Sequence, residues 1–115
     1  MEFPFKVVMC GSEAFGEKNS NSDTDYFADG NVVDLFWLSR NGFNRLSSDK
    51  YEPNEHVRVV YRNEEHGIDL IFVDDLYKYE RLMESLQTWD QLYNFDKKQR
   101  SKIWDLVRIV ANEFE

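Results

Sequence analysis

Val7-Val8-Met9-Cys10-Gly11-Ser12-Glu13-Ala14-Phe15-Gly16, followed after five residues by Ser22-Asp23-Thr24-Asp25, is the stretch on which the fold turns. The apolar run ends at a Gly-Ser pair, as a short buried strand ends at a turn. Gly11 has no side chain to keep backbone away from a ligand, and Ser12 offers a hydroxyl. Any amides left free where a helix starts after Ser12 suit an anion. Asp23 and Asp25 lie two apart, so a strand carries both carboxylates on one face. Two close carboxylates repel unless a cation sits between them, and magnesium prefers such hard oxygen ligands. A third acid, Asp69, interrupts Ile68-Asp69-Leu70-Ile71-Phe72-Val73, where an unpaired charge is expensive to bury. It needs a metal, an open sheet edge, or a partner such as Arg58 or Arg62. Each of these signals alone has a plain structural reading: a strand-to-turn Gly-Ser, two solvent-facing loop acids, a buried ion pair.

The chain has 115 residues and a formal net charge of −8, enough for one domain with a modest core (residues 1–115). Its 18 aromatic residues exceed what so small a core needs, which leaves some for a ligand or partner surface. The negative balance makes bulk nucleic-acid binding an unfavoured expectation. The local exception is the basic group Lys97, Lys98, Arg100 and Lys102, read first as a solvated helix start. One cysteine, Cys10, excludes an internal disulfide and reads as a buried inert thiol. The first residues lack a signal-peptide pattern, and no apolar run approaches the roughly 18 residues of a membrane span. The cytoplasm is the expected compartment, with no membrane partner.

Strands are expected over residues 5–10, 23–28, 56–62 and 68–73. The last two form a hairpin whose loop, Asn63 to Gly67, would set Tyr61 opposite Asp69. Residues 32–41 read as a helix, and Asn41 to Asn54 as irregular. Leu76, Tyr79, Leu82, Met83 and Leu86 mark a core-facing helix opened by Asp74-Asp75, with a break near Trp89 to Phe95. Asp96 caps a last helix that should bury Ile103, Leu106, Val107 and Val110, with Phe114 ending the stripe. A small sheet with helices makes the class α+β or mixed α/β. His56 and His66 lack metal-ligand spacing, and Trp37, Trp89 and Trp104 read as core before they read as a stacking platform.

Taken together, Gly11, Ser12, Ala14, Gly16, Ser22, Asp23 and Asp25, with Asp69 on a later apolar strand, form a spacing that chance rarely assembles. Each position carries a residue of roughly 5–8% usage. This closely resembles the nucleotidyltransferase superfamily of DNA polymerase beta, in particular its minimal members, from Val7 to Val73. The resemblance implies a mixed, twisted sheet backed by helices. It implies transfer of a nucleoside monophosphate, AMP above all, from a triphosphate to an acceptor hydroxyl, with release of pyrophosphate. Gly11 and Ser12 would hold the β- and γ-phosphates. Asp23 and Asp25 would ligate two magnesium ions, with manganese as the alternative, and Asp69 would ligate the catalytic ion and help activate the hydroxyl.

The chain also departs from that pattern. The position after Ala14, often Arg in the family, is Phe15, with Lys18 one helical turn away as a substitute cation. No second helical domain follows to grip an acceptor, so a helical partner protein is expected. The acceptor is open, a protein being easier to reconcile with the acidic surface than RNA. The competing expectations are a non-catalytic module of the same fold that binds or inhibits a protein partner, and the nucleotidyltransferase component of a toxin–antitoxin pair.

Overall fold

The computed structural model describes residues 1–15, 24–46 and 56–113. Gly16, Lys18, Ser22, Asp23, residues 47–55 and Phe114 lie outside these, and the expectations placed on them lie outside too. The chain divides into two compact units, Met1–Tyr77 and Lys78–Glu115.

The first unit holds five strands: β1 (Val7–Cys10), β2 (Thr24–Asp29), β3 (Phe43–Arg45), β4 (Val57–Asn63) and β5 (Ile68–Val73). Their order across the sheet is β1-β2-β5-β4-β3. β2 and β5 run parallel, and every other neighbouring pair is antiparallel, so the sheet is mixed and the class α+β. A parallel pair requires a crossover, and here it runs through α1 (Leu35–Arg40), β3 and β4. Asp34 caps α1 by accepting the Trp37 amide at 3.0 Å. Gly42, at φ +77°, turns the chain from that helix into β3.

Alternation along the strands sorts the two sheet faces. On one face Ala28, Leu70 and Phe72 join Leu38 of α1 and Phe43 of β3 as a buried cluster. Phe3, Phe5 and Trp37 pack against it. Their rings meet edge-on or tilted: Phe5 and Trp37 at 5.3 Å, Phe3 and Tyr26 at 5.3 Å. Trp37 therefore serves as packing, and a good part of the aromatic excess is spent here. Full burial of side chains such as Phe72 contributes about 1.5–3 kcal/mol each.

Two expectations about the hairpin and its edge give way. Asn63 is 2% exposed and belongs to β4, which shortens the loop to Glu64–Gly67. Its Nδ2 donates to the Asn41 carbonyl at 2.7 Å, and its Oδ1 accepts the His66 amide at 2.8 Å. The register moves by one residue, and Arg62, not Tyr61, stands opposite Asp69. The stretch after Asn41 is not wholly irregular, because Phe43–Arg45 forms an edge strand on β4.

The second unit is a helical hairpin. α2 (Leu76–Tyr93) starts in the first unit and runs into it, and α3 (Lys97–Glu113) returns. Lys78 Nζ donates to Asn112 Oδ1 at 2.7 Å, and Arg100 lies 3.6 Å from Asp90, so the helices run antiparallel. Asp96 and Gln99 cap α3 reciprocally, each amide donating to the other's side chain at 3.0 and 2.8 Å. The break expected near Trp89 to Phe95 falls at the end of that range: α2 continues to Tyr93 and stops at Asn94, whose φ is +50°. α3 buries its expected stripe only in part: Ile103 and Val107 are half-buried, while Leu106 is 65% and Val110 51% exposed. The buried α3 side chain is instead Arg100, which donates to the Phe95 carbonyl at 2.8 Å. Trp104 packs its ring 6.0 Å from Tyr79. No helix among the described residues is long and apolar enough to cross a membrane.

Candidate functional site

At the amino ends of β2 and β5 the register sets Asp25 beside Asp69. Cys10 of β1 pairs with Asp25, and Arg62 of β4 pairs with Asp69. Cross-strand neighbours share a face, so Cys10, Asp25, Asp69 and Arg62 form one row across four strands. Neighbouring strands lie about 4.8 Å apart, which makes the two carboxylates immediate neighbours.

Each member of the row has its own surroundings. Asp69 is 3% exposed, and Arg62 donates to its Oδ1 at 2.9 Å. The same guanidinium reaches the exposed Glu64 at 3.0 Å through Nε. Asp25 is half-buried and leans on the end of β1. A Cβ added to Gly11 would stand 2.8 Å from Asp25 Oδ2, and Gly11 itself has φ +73°. Only glycine meets both conditions without strain, which ties the Gly-Ser corner directly to the acid beside it. Ser12 opens a one-turn 3₁₀ helix, Ser12–Phe15. The Ala14 amide donates back to the Gly11 carbonyl at 3.2 Å.

Burial pushes the Cys10 thiol well above its ordinary pKa, and the negative charges of Asp25 and then Asp69 push it further. The thiol is thus held neutral in a region of negative potential. In sequence Cys10 reads as a simple buried residue; its position just before Gly11, on the strand that ends at the acids, is the signal that places it in the row.

Four of the five expected site residues therefore converge: Gly11 and Asp25 touch closely, Ser12 follows Gly11, and Asp69 stands beside Asp25. Asp23 lies outside the described residues. Of the two arginines considered for Asp69, register selects Arg62. Among the described residues no group of three or more metal-ligating side chains occurs.

A second polar cluster lies at the opposite, carboxyl ends of β2 and β5. His56 Nδ1 is hydrogen-bonded to Asp74 Oδ2 at 3.0 Å, so Asp74 turns to a histidine across the hairpin. Its other oxygen, Oδ1, is buried without a hydrogen-bond partner among the described residues. Asn31 donates to the Asp74 carbonyl at 2.9 Å. Asn31 also bonds Asp29 Oδ1 from its amide and its side chain, at 2.9 and 3.0 Å. Nearby, Phe5, Lys6, Asp29, Val32, Leu76 and Tyr77 line an open cavity of about 310 Å³.

Compared with protein-family models, with curated proteins and with solved structures, the chain finds no match.

Proposed function

We propose that the chain is a metal-dependent nucleotidyltransferase of the minimal type, with a mixed sheet of the DNA polymerase beta kind. In this reading it moves a nucleoside monophosphate, AMP first, from a triphosphate to an acceptor hydroxyl. The observation that carries this reading is the pairing of Asp25 with Asp69 in register, with the Gly11 corner pressed against Asp25.

The donor set fits magnesium. Two carboxylates on one face supply hard oxygens, and Asp23 would add a third two residues from Asp25. Magnesium, when bound, offsets the charge of the acids and of the triphosphate together. Asp25 and Asp69 would hold it. The Gly11-Ser12 corner would admit the β- and γ-phosphates close to backbone. Asp69 would orient the acceptor hydroxyl for in-line attack on the α-phosphorus. The new O–P bond forms as the bond to the bridging oxygen breaks, pyrophosphate leaves, and the hydroxyl proton passes to a carboxylate or water.

Titration calorimetry with each nucleoside triphosphate and magnesium, on the wild type and on Asp25→Asn, tests this. Magnesium-dependent ATP binding that the substitution abolishes supports it. No binding of any triphosphate, with no α-phosphate label passed to any acceptor in lysate, removes it. The Arg62–Asp69 ion pair favours a second reading, because it gives the buried acid a purely structural partner. The chain would then be a non-catalytic module of the same fold that binds a protein. That reading predicts partner capture unchanged in an Asp23→Asn, Asp25→Asn double variant. Co-purification with a helical neighbour would identify the toxin–antitoxin version.

A further inference from the structure

The tip of the helical hairpin reverses the character of the chain. From Trp89 to Lys102 there are four bases, Lys97, Lys98, Arg100 and Lys102, against two acids, Asp90 and Asp96. That is a net of +2 inside a chain of −8. Arg100 is turned inward on the Phe95 carbonyl and Asp90. Lys97, Lys98 and Lys102 are exposed, and none pairs with a carboxylate among the described residues. Their placement works against α3. Two lysines sit in the first turn, where the helix dipole disfavours cations. Lys98 and Lys102 are four apart, a repelling spacing. In a protein with abundant carboxylates, three unpaired lysines at unfavourable positions mark a surface kept for an outside anion.

Aromatic residues precede them closely in the chain. Tyr93 is 69% exposed and stacks on Phe95, ring centroids 5.8 Å apart at 25°. One face of the tyrosine is thus backed by a ring while the side chain stays open to solvent. Trp89, 43% exposed, lies one turn earlier at the i, i+4 spacing that shares a helix face. At about 1.5 Å per residue, Lys102 stands about 9 Å along α3 from its cap at Asp96. Open rings beside unpaired ammonium groups, within a short span, match the two demands of a single-stranded nucleic acid: a platform for bases and cations for phosphates.

We propose that Trp89, Tyr93, Lys97, Lys98 and Lys102 form a docking surface for single-stranded nucleic acid at the α2–α3 tip. The proposal rests on the helical unit alone and stands whether or not the sheet unit transfers nucleotides. Binding is local, so the net charge keeps it weak and salt-sensitive.

The test is fluorescence anisotropy of labelled oligouridylate and oligothymidylate with the full chain, over a salt series. Three phosphate contacts predict a slope of log affinity on log salt of about −2. Charge reversal, Lys97→Glu with Lys98→Glu and Lys102→Glu, should abolish binding and leave the circular dichroism unchanged. Tyr93→Ala should weaken binding about tenfold while leaving the salt slope intact, since a stacked base adds affinity without counterion release. Affinity unmoved by either substitution overturns the proposal. So does equal binding of heparin, which has no bases, or binding of anionic phosphatidylserine vesicles with none of either oligonucleotide.

Discussion

At the carboxyl ends of β2 and β5 each acid has its own neutral or basic donor. Asp29 takes two bonds from Asn31, and Asp74 takes one from His56. At the amino ends of the same two strands Asp25 and Asp69 are set against each other, with the Arg62 guanidinium on the far side of Asp69. The first end gives each carboxylate a separate partner, although Asp74 Oδ1 is buried without one among the described residues. The second accumulates negative charge in one row and adds a buried thiol to it. That row is the arrangement on which the proposed cation site rests.

Substitutions at the two ends should separate activity from stability. Asp25→Asn keeps the shape and removes a charge, and should lower nucleotidyl transfer by about 10²–10³-fold, the scale of losing a group that acts on developing charge; Asp69→Asn should lower it as much and also cost stability, because it strands Arg62. His56→Ala at the other end should leave transfer untouched and lower stability by about 1 kcal/mol, the worth of a hydrogen bond. Equal loss of transfer from both ends would erase the distinction. Steady-state transfer with labelled ATP, read beside thermal melts, makes the comparison.

Arg62→Gln is the next largest change. It strands a carboxylate that is 3% exposed, and should cost about 3 kcal/mol in denaturant unfolding, the low end for a buried pair because Arg62 keeps some solvent. Added magnesium or manganese should restore more stability to this variant than to the wild type, since a divalent ion can take over Asp69. A loss that no divalent ion repairs would make the row a structural ion pair and nothing more.

Gly11→Ala should follow at about 1–2 kcal/mol, from a positive φ and a Cβ 2.8 Å from Asp25 Oδ2. The displaced carboxylate should also weaken magnesium binding. Gly42→Ala has the same backbone penalty, φ +77°, with its nearest contact the Asn63 side chain rather than an acid. It should lower stability alone, which calorimetry with magnesium would distinguish.

Much of this row was legible in the chain. β1, β2 and β5 announce themselves as apolar runs closed by Gly11, Asp29-Gly30 and Asp74, and an acid inside Ile68–Val73 flags a partner. The partner's identity was not legible, because it hangs on whether Asn63 counts as strand or loop. That depends on a tertiary bond to the Asn41 carbonyl, which local composition does not encode, together with a turn bond from the His66 amide. β3 was missed for a related reason: three residues with one apolar side chain have no period to read, and their pairing with β4 defines them. In α3 the period correctly marks an apolar face, but periodicity is silent on whether anything covers it. Leu106 and Val110 are the result. Asp96 was easier, since an N-cap is local by construction; its reciprocal partner Gln99 appears only in the structure.

The smallest expected effect is the most direct reading of the field in the row. Cys10 ionises to a charged form, and its folded pKa is raised first by burial, then by Asp25 and Asp69. Below the ordinary thiol value of about 8.5 the group is protonated both folded and unfolded, and its contribution is fully present. Above it the unfolded chain loses the proton first, so stability falls as pH rises toward the folded value, by up to about 1.4 kcal/mol per pH unit. Cys10→Ala should remove that alkaline slope. Asp25→Asn should leave it but end it at a lower pH, a small shift because burial is the leading cause. His56→Ala should not move it at all. Thiol alkylation rates followed from pH 8 to 10 read the same quantity in the native state. A thiol that reacts in the wild type as a free cysteine does would mean that Cys10 is open to water, and that the acids beside it are solvated rather than held together for a cation.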